Sequence, residues 1–162
     1  MNDNLEVIIL AAGLGKRMKS STIKILHRAA GRPIIDYVLD LASELSSQPP
    51  VMVIGHQRDA VQKAVGGRAR FALQEEQLGT GHAVLQAAPH VDPAGKRILI
   101  LSGDVPLTRR ETLQRLLDEH ARDRNALTLL TMKLPDPAMY GRVVRGDDGA
   151  VLRIVEAKDA ND

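Results

Sequence analysis

The stretch "LEVIILAAGLGKRMKS", Leu5 to Ser20, joins an apolar run to a glycine-containing loop that is rich in cations. An apolar run that ends in small residues is typical of a buried strand in a parallel sheet. The small residues that follow let backbone amides approach an anion closely. No acid interrupts the cations of this region, which are Lys16, Arg17, Lys19, Lys24 and Arg28. The stretch predicts an α/β fold whose first loop binds a triphosphate, with a solvated basic loop as the alternative.

The hydrophobic pattern of the whole chain supports this fold class, because short apolar runs alternate with amphipathic segments. The runs predict strands near 5–10, 50–55, 69–73, 97–102, 126–132 and 141–145. The amphipathic segments predict helices over 33–46, 57–65, 79–88 and 109–122. Asp148-Gly149 predicts a two-residue hairpin turn near the end of the chain. We therefore expect a doubly wound α/β domain with a mostly parallel sheet.

Composition narrows the class of protein. A chain of 162 residues can bury one substantial core, which predicts a single domain over 1–162. The net charge is only +2, and one Phe, two Tyr and no Trp leave few aromatic platforms for bases, so nucleic acid is not an expected partner. The absence of cysteine excludes disulfides and thiolate chemistry. No apolar run is long enough for a membrane span or a secretory core, so we expect a cytoplasmic protein.

Two familiar glycine-rich phosphate loops do not fit the first loop. A dinucleotide fingerprint needs a third glycine where Met18 stands. A Walker loop needs Gly at the position of Leu10 and Ser or Thr at that of Arg17. A different triphosphate site therefore remains, in which Arg17 and Lys24 neutralise charge on a departing pyrophosphate.

A second motif, "ILILSGDVPL", places Ser102, Gly103 and Asp104 directly after an apolar run. In open α/β sheets, ligands bind at the carboxyl ends of the strands. A single carboxylate facing a triphosphate suits Mg²⁺, which takes one or two carboxylates together with substrate phosphates. The alternative is that Asp104 only caps a turn before Pro106.

A third motif, "LQEEQLGTGHAV", begins after another predicted strand. The carboxamide of Gln74 offers a donor and an acceptor, which suits the edge of a pyrimidine base. Gly79 and Thr80 open the following helix and can present amides and a hydroxyl to a ligand. The alternatives are a surface amide at Gln74 and a helix cap at Thr80, and His82 fits a first-turn helix residue better than a metal ligand.

Six motifs together resemble one family. "LAAGLGKRM", "KILH", "QEEQLGTGHAV", "SGDVPL", "YGRVVR" and "IVEAKDA" are similar to the uridylyltransferase domain of the bacterial bifunctional N-acetylglucosamine-1-phosphate uridylyltransferase/glucosamine-1-phosphate acetyltransferases. The resemblance runs from about Val7 to the last residue. It implies a Rossmann-like nucleotide-diphospho-sugar transferase fold and Mg²⁺-dependent transfer of a uridylyl group from UTP to N-acetylglucosamine 1-phosphate. The product would be UDP-N-acetylglucosamine, a precursor of peptidoglycan and lipopolysaccharide.

The resemblance also implies roles for particular residues. Arg17 and Lys24 would be the catalytic cations, and Asp104 would be a Mg²⁺ ligand. The nucleotide would contact Leu10, Ala11, Ala12, Gly13, Lys24, Gln74, Gly79, Thr80, Ser102, Gly103 and Asp104. Gly141 and Glu156 would contact the sugar, the alternatives being a turn glycine and an exposed strand carboxylate.

The chain departs from the family pattern in places. Lys16 stands where the family has Thr, and Ile23 stands where it has Pro. An Asn-Thr-Gly sugar contact and an Asn ligand of Mg²⁺ would lie beyond Asp162, as would the acetyltransferase domain through which longer relatives would form homo-oligomers. We therefore expect a truncated domain. Two alternative functions are a nucleotide-binding fragment without catalysis and a transferase for another sugar phosphate or for a cytidylyl or guanylyl acceptor.

Overall fold

The structure is a computed structural model, and it describes residues 4–13, 15, 18, 20, 22–92 and 96–160. The chain divides into two compact units, Met1–Arg115 and Leu116–Asp162. The single domain expected over the whole chain stays a prediction. In the part of the chain that the structure describes, no helix combines the length and apolar character that a bilayer crossing requires.

The first unit contains a parallel sheet, a short hairpin and helices. Its described strands are β1 (Leu5–Leu10), β2 (Arg28–Ala29), β3 (Arg32–Pro33), β4 (Val51–Ile54), β5 (Arg70–Leu73) and β6 (Arg97–Ser102). Its helices are α1 (Ile34–Leu45), α2 (Arg58–Val65) and α3 (Thr80–Ala87), and α4 (Arg110–Arg122) begins in this unit and ends in the next. These helices and the strands of the parallel sheet lie within one residue of the predicted bounds at each end.

The order of strands in the sheet is β5-β4-β1-β6, and every neighbouring pair is parallel. The chain first adds β4 and then β5 on one side of β1, and it then crosses back to add β6 on the other side of β1. This reversal is the topological switch point of a doubly wound sheet, where the carboxyl ends of the strands leave a crevice for ligands. The predicted fold class is therefore confirmed.

Packing on the sheet explains why β1 and β4 read as continuous apolar runs. Alternate side chains of β1, β4 and β5 form one cluster with the small residues Ala83 and Ala87 of α3. Since crossovers between parallel strands are right-handed, α1 and α2 cover the opposite face. Both faces are buried, so nearly every position of these strands must be apolar.

The second unit contains the hairpin of β7 (Arg142–Arg145) and β8 (Val151–Val155), which pair antiparallel as predicted. The turn differs from the predicted two-residue Asp148-Gly149 turn. Gly149 donates to the carbonyl of Gly146 at 2.9 Å, and Gly149 itself has a φ of +80°. A turn with two residues of negative φ followed by a left-handed glycine is the usual three-residue hairpin loop, and it accounts for Asp-Gly here equally well.

The predicted strand at 126–132 is wrong. In the described structure this segment is not a strand and joins no β-ladder. Leu127, Leu130 and Met132 are exposed. An apolar run becomes a strand only when a neighbour offers unpaired backbone groups in register, and the sequence of the run does not specify that neighbour.

A buried carboxylate joins the amino ends of the strands. Glu6 of β1 is 4% exposed and accepts hydrogen bonds from Arg70 Nη2 at 2.7 Å and Lys96 Nζ at 3.1 Å. Arg70 also donates to the carbonyls of Pro49 and His90. Burial opposes ionisation of Glu6, but the hydrogen bonds from Lys96 and Arg70 outweigh it and hold the pKa of Glu6 below its ordinary value. The cluster stabilises the sheet at the end opposite the switch-point crevice.

Replacing this carboxylate should weaken the fold. We expect Glu6→Gln to lower the free energy of unfolding by about 2 kcal/mol at neutral pH, because Arg70 and Lys96 lose the charge they share. Since the folded-state pKa of Glu6 is depressed, its contribution is fully present above the unfolded pKa of about 4.3 and is lost as the pH falls through the folded-state pKa. Urea unfolding across this acidic range measures the effect.

The matched control is Glu44→Gln. Glu44 lies 3.8 Å from Arg110, and both side chains are 55% exposed, so its loss should cost less than about 0.5 kcal/mol. If Glu6→Gln loses stability in acid as steeply as the unaltered protein, the assigned role of Glu6 is wrong.

Candidate active site

The loops that follow β1 and β6 meet at the switch point. Leu10 pairs in register with Ser102, and the amide of Gly103 donates to the carbonyl of Leu10 at 2.9 Å. The amide of Ala11 is directed toward β4, on the other side of β1, and donates to the carbonyl of Val53 at 2.9 Å. The predicted segments Leu10–Gly13 and Ser102–Asp104 are thus neighbours at the carboxyl edge of the sheet, where Gly13 and Ser102 are exposed.

Two glycines allow the backbones at this edge to approach closely. A Cβ on Gly103 would lie 3.1 Å from the carbonyl oxygen of Leu10 and 3.2 Å from Ile35 Cδ1. A Cβ on Gly55, after β4, would lie 3.1 Å from the carbonyl oxygen of Gln74 and 3.2 Å from that of Ala12. Larger residues would push the loops apart. Gly55 was not predicted from the sequence, although a glycine directly after an apolar strand is a recognisable signal.

Lys24 and Asp104, 80 residues apart in sequence, form an ion pair in which Lys24 Nζ lies 2.6 Å from Asp104 Oδ2. Lys24 opens a 3-10 helix, Lys24–Leu26, which is held down by the buried side chains of Ile23 and Ile25. Both charged side chains are 38% exposed, so solvent and ligands can reach them. A cation and a carboxylate in contact at this edge can receive a phosphate on one partner and a metal ion on the other.

The metal ligand inferred at Asp104 fits the residues around it. An accessible aspartate oxygen is a hard donor of the kind that Mg²⁺ prefers. Among the described residues, no group of three or more carboxylates or histidines is assembled that could hold a metal alone. The donor set therefore suits an ion that takes most of its ligands from water and substrate phosphates.

The loop after β5 reaches the same edge. Gln74 is 3% exposed, and its Nε2 lies 3.1 Å from the carbonyl of Gly79 and 3.1 Å from Nδ1 of His82. Gln77 Nε2 donates to the carbonyl of Ala12 at 2.9 Å, which fastens this loop to the one after β1. Gln77 was not predicted as a site residue, because nothing in the local sequence indicates a hydrogen bond to a residue so far away.

A cavity of about 590 Å³ adjoins this loop. It is lined by residues 55–59 and 73–75 and by Gln77. Gln74 is thus one of the residues that border the cavity. Gly79 has a φ of +101°, which favours glycine there, and Thr80 is the exposed first residue of α3.

The remaining predicted residues are placed elsewhere or lie outside the described residues. Arg17, and Lys16 beside it, lie outside the described part of the chain. Gly141 and Glu156 belong to the second unit, where they flank the paired residues Arg142 and Val155 at one end of the hairpin. A Cβ on Gly141 would lie 3.3 Å from the carbonyl oxygen of Val155, and Glu156 is exposed. The hairpin therefore brings these two predicted sugar contacts close to each other.

Comparison with known proteins identifies the family of the chain. Residues 7–149 match the family model of the MobA-like NTP transferase domain. The chain is 50% identical over 159 residues to the "Bifunctional protein GlmU" of Geobacter metallireducens, in an alignment that covers 97% of this chain and 33% of the relative. The resemblance inferred from the motifs is therefore confirmed. The chain spans about a third of the length of the curated relatives it matches.

Solved structures share the fold. HddC from Yersinia pseudotuberculosis superimposes with a TM-score of 0.67 at 19% identity, over 93% of this chain and 68% of that protein. Rv0371c from Mycobacterium tuberculosis, solved in complex with manganese, gives a TM-score of 0.59 at 23% identity, over 71% of this chain and 58% of that protein. These matches confirm the predicted Rossmann-like transferase fold.

The contact between Lys24 and Asp104 predicts a change in metal affinity. In Lys24→Gln, Mn²⁺ should bind up to about fivefold more tightly without nucleotide, because the ammonium no longer competes for the carboxylate and a half-exposed ion pair is worth about 1 kcal/mol. Electron paramagnetic resonance of free Mn²⁺ measures the affinity.

Arg32→Gln is the matched control, because Arg32 forms an exposed 2.6 Å ion pair with Asp40 in the same unit. It should leave the Mn²⁺ affinity unchanged, and Asp104→Asn should abolish the binding. The competition is disproved if Lys24→Gln binds Mn²⁺ no more tightly than the unaltered protein.

Proposed function

The chain belongs to the family of MobA-like NTP transferase domains and is thus a nucleotidyltransferase, and from this premise we propose that it transfers a uridylyl group from UTP to N-acetylglucosamine 1-phosphate. The products are UDP-N-acetylglucosamine and pyrophosphate. The observation that carries the proposal is the contact of Lys24 with Asp104 beside the glycine loop, at the switch point of the sheet. The 50% identity to a GlmU protein supports the choice of substrates.

The proposed reaction needs no covalent enzyme intermediate. An oxygen of the sugar phosphate attacks the α-phosphorus of UTP in line, and the bond from that phosphorus to the β-phosphate oxygen breaks as pyrophosphate leaves. The protein contributes positioning and neutralisation of charge. Asp104 would hold a divalent cation, proposed to be Mg²⁺, which neutralises charge on the phosphates when bound. A fold relative crystallised with manganese supports a divalent ion.

The chain's residues divide the remaining tasks. Backbone groups of Leu10–Gly13 and of Ser102–Gly103 line the nucleotide phosphates, where the small residues allow close approach. Lys24 leaves Asp104 to meet the phosphates, and Arg17 shares the charge that grows on the departing pyrophosphate. Gln74, Gly79 and Thr80 contact the nucleoside. Gly141 and Glu156, neighbours in the hairpin, contact the sugar.

Release of pyrophosphate tests the substrates. The chain is incubated with Mg²⁺, N-acetylglucosamine 1-phosphate and each of UTP, CTP, GTP and ATP in turn, and glucose 1-phosphate replaces the sugar phosphate in a parallel series. We expect the highest kcat/KM for UTP with N-acetylglucosamine 1-phosphate. Preference for another combination of nucleotide and sugar phosphate would contradict the proposed substrates. Nucleotide binding without release of pyrophosphate would show that the chain binds nucleotide but does not catalyse the transfer.

Two variants test the proposed roles. Asp104→Asn should lower kcat on the order of 100-fold or more, because the metal loses its protein ligand. Arg17→Ala should lower kcat more than it raises KM for UTP, because the negative charge that Arg17 neutralises increases as pyrophosphate departs.

Lys63→Ala is the matched control, since Lys63 is an exposed cation in the last turn of α2. It should leave kcat and KM unchanged. A rise in KM with constant kcat in Arg17→Ala would show that Arg17 binds substrate and transition state equally.

A further inference from the structure

His82 lies between two glutamine side chains. Its Nδ1 is 3.1 Å from Gln74 Nε2, and its Nε2 is 3.0 Å from Gln86 Nε2. His82 and Gln86 lie one turn apart on α3, while Gln74 reaches the imidazole from the loop after β5. The proposed function assigns Gln74 a role and leaves His82 without one.

The carbonyl of Gly79 fixes the orientation of the Gln74 amide. Gln74 Nε2 carries two hydrogens, and one of them is donated to that carbonyl at 3.1 Å. Rotating the amide by 180° would place Oε1 against the same carbonyl oxygen, so that two acceptors would face each other in a site where Gln74 is 3% exposed. The nitrogen therefore stays toward Gly79, and its second hydrogen is directed at His82.

This orientation determines the tautomer of His82. Nδ1 must accept the hydrogen from Gln74, so the imidazole proton is on Nε2. Nε2–H then needs an acceptor. A 180° flip of the Gln86 amide places its oxygen at that position, and the flip leaves the shape of the side chain unchanged because it only exchanges O and N. The three side chains form a hydrogen-bonded row with one consistent direction.

Both hydrogens of Gln74 are used within the protein, so the carbonyl oxygen Oε1 is what this amide can offer to a ligand. The sequence predicts a donor and an acceptor at this side chain, and the structure leaves only the acceptor for a ligand. Uracil carries a hydrogen on N3, whereas cytosine has an unprotonated N3 at the same place. Placed opposite N3, an oxygen that can only accept pairs with uracil and faces a second acceptor in cytosine. The 4-amino group of cytosine is a donor, but it lies at the neighbouring position of the ring.

We propose that His82 is a positioning residue that fixes the Gln74 amide with its oxygen available to the nucleobase, and thereby selects uracil over cytosine. The inference rests on the proposed function, in which Gln74 contacts the base. It adds a specificity-determining residue that does not touch the substrate.

Nucleotide selectivity tests the inference on the whole chain. The Kd values for UTP and CTP are measured by calorimetry with Mg²⁺ in the unaltered protein, in His82→Leu, in His82→Asn and in the control His90→Ala. His82→Leu removes the acceptor, so the ratio of the CTP Kd to the UTP Kd should fall about five- to tenfold. His82→Asn can present Oδ1 near the position of Nδ1 and should restore the ratio to within about twofold. His90 is exposed, and its replacement should change nothing.

A spectroscopic measurement separates this inference from the proposed function. The ¹⁵N spectrum of the imidazole in the nucleotide-free protein at mildly alkaline pH should show a hydrogen-free Nδ1 and a protonated Nε2 in His82. This signature does not depend on nucleotide binding, and a loss of fold in His82→Leu would not affect it.

The remaining outcomes contradict either the positioning role of His82 or the proposed function. A protonated Nδ1, or unchanged selectivity in a folded His82→Leu, would overturn the inference. Equal Kd values for UTP and CTP in the unaltered protein would overturn it while leaving nucleotide binding intact. Binding of neither nucleotide would defeat the proposed function and, with it, the role of His82 in base selection.

Discussion

The site depends on the close approach of two backbones at the end of the sheet. Gly103 donates its amide to the carbonyl of Leu10, and a side chain on Gly103 would collide with that carbonyl and with Ile35. Because this approach is so close, the next residue, Asp104, reaches Lys24. The position is the switch point of the sheet, so the strand order that stabilises the fold also creates the crevice for the ligand.

The charged groups at the two ends of the sheet illustrate how burial determines the role of a charge. At the amino ends of the strands, Glu6 is almost fully buried, and two cations stabilise its ionised form. Such a carboxylate contributes to the fold, because the loss of its cationic partners would leave an unpaired charge in the protein interior. At the carboxyl ends, Lys24 and Asp104 are each 38% exposed, and water screens their attraction. A pair that costs little to separate is suited to a site where phosphate and metal replace the two partners.

The sequence predicted the parallel strands and the α-helices of the first unit closely, because β1 and β4 are buried on both faces and read as apolar runs with clear ends. The short hairpin of β2 and β3 was not predicted. The same reasoning failed at 126–132, where an apolar run lacks the partner that would make it a strand. For the site, the motifs indicated Asp104 and Gln74 individually. They could not show that Gln77 bonds to Ala12, or that His82 and Gly79 share the two hydrogens of Gln74. Those contacts depend on how the loops after β1 and β5 fold together, which local pattern does not encode.

The central claim is that the Lys24–Asp104 contact marks the position of the reacting phosphates, and a crystal structure with UTP and Mg²⁺ tests it most directly. The account predicts that the phosphates lie between the ends of β1 and β6, with Lys24 moved from Asp104 to a phosphate oxygen. It also predicts that Asp104 contacts the metal and that Gln74 Oε1 accepts from the uracil N3–H. A nucleotide bound elsewhere, with Lys24 and Asp104 still in contact, would contradict it.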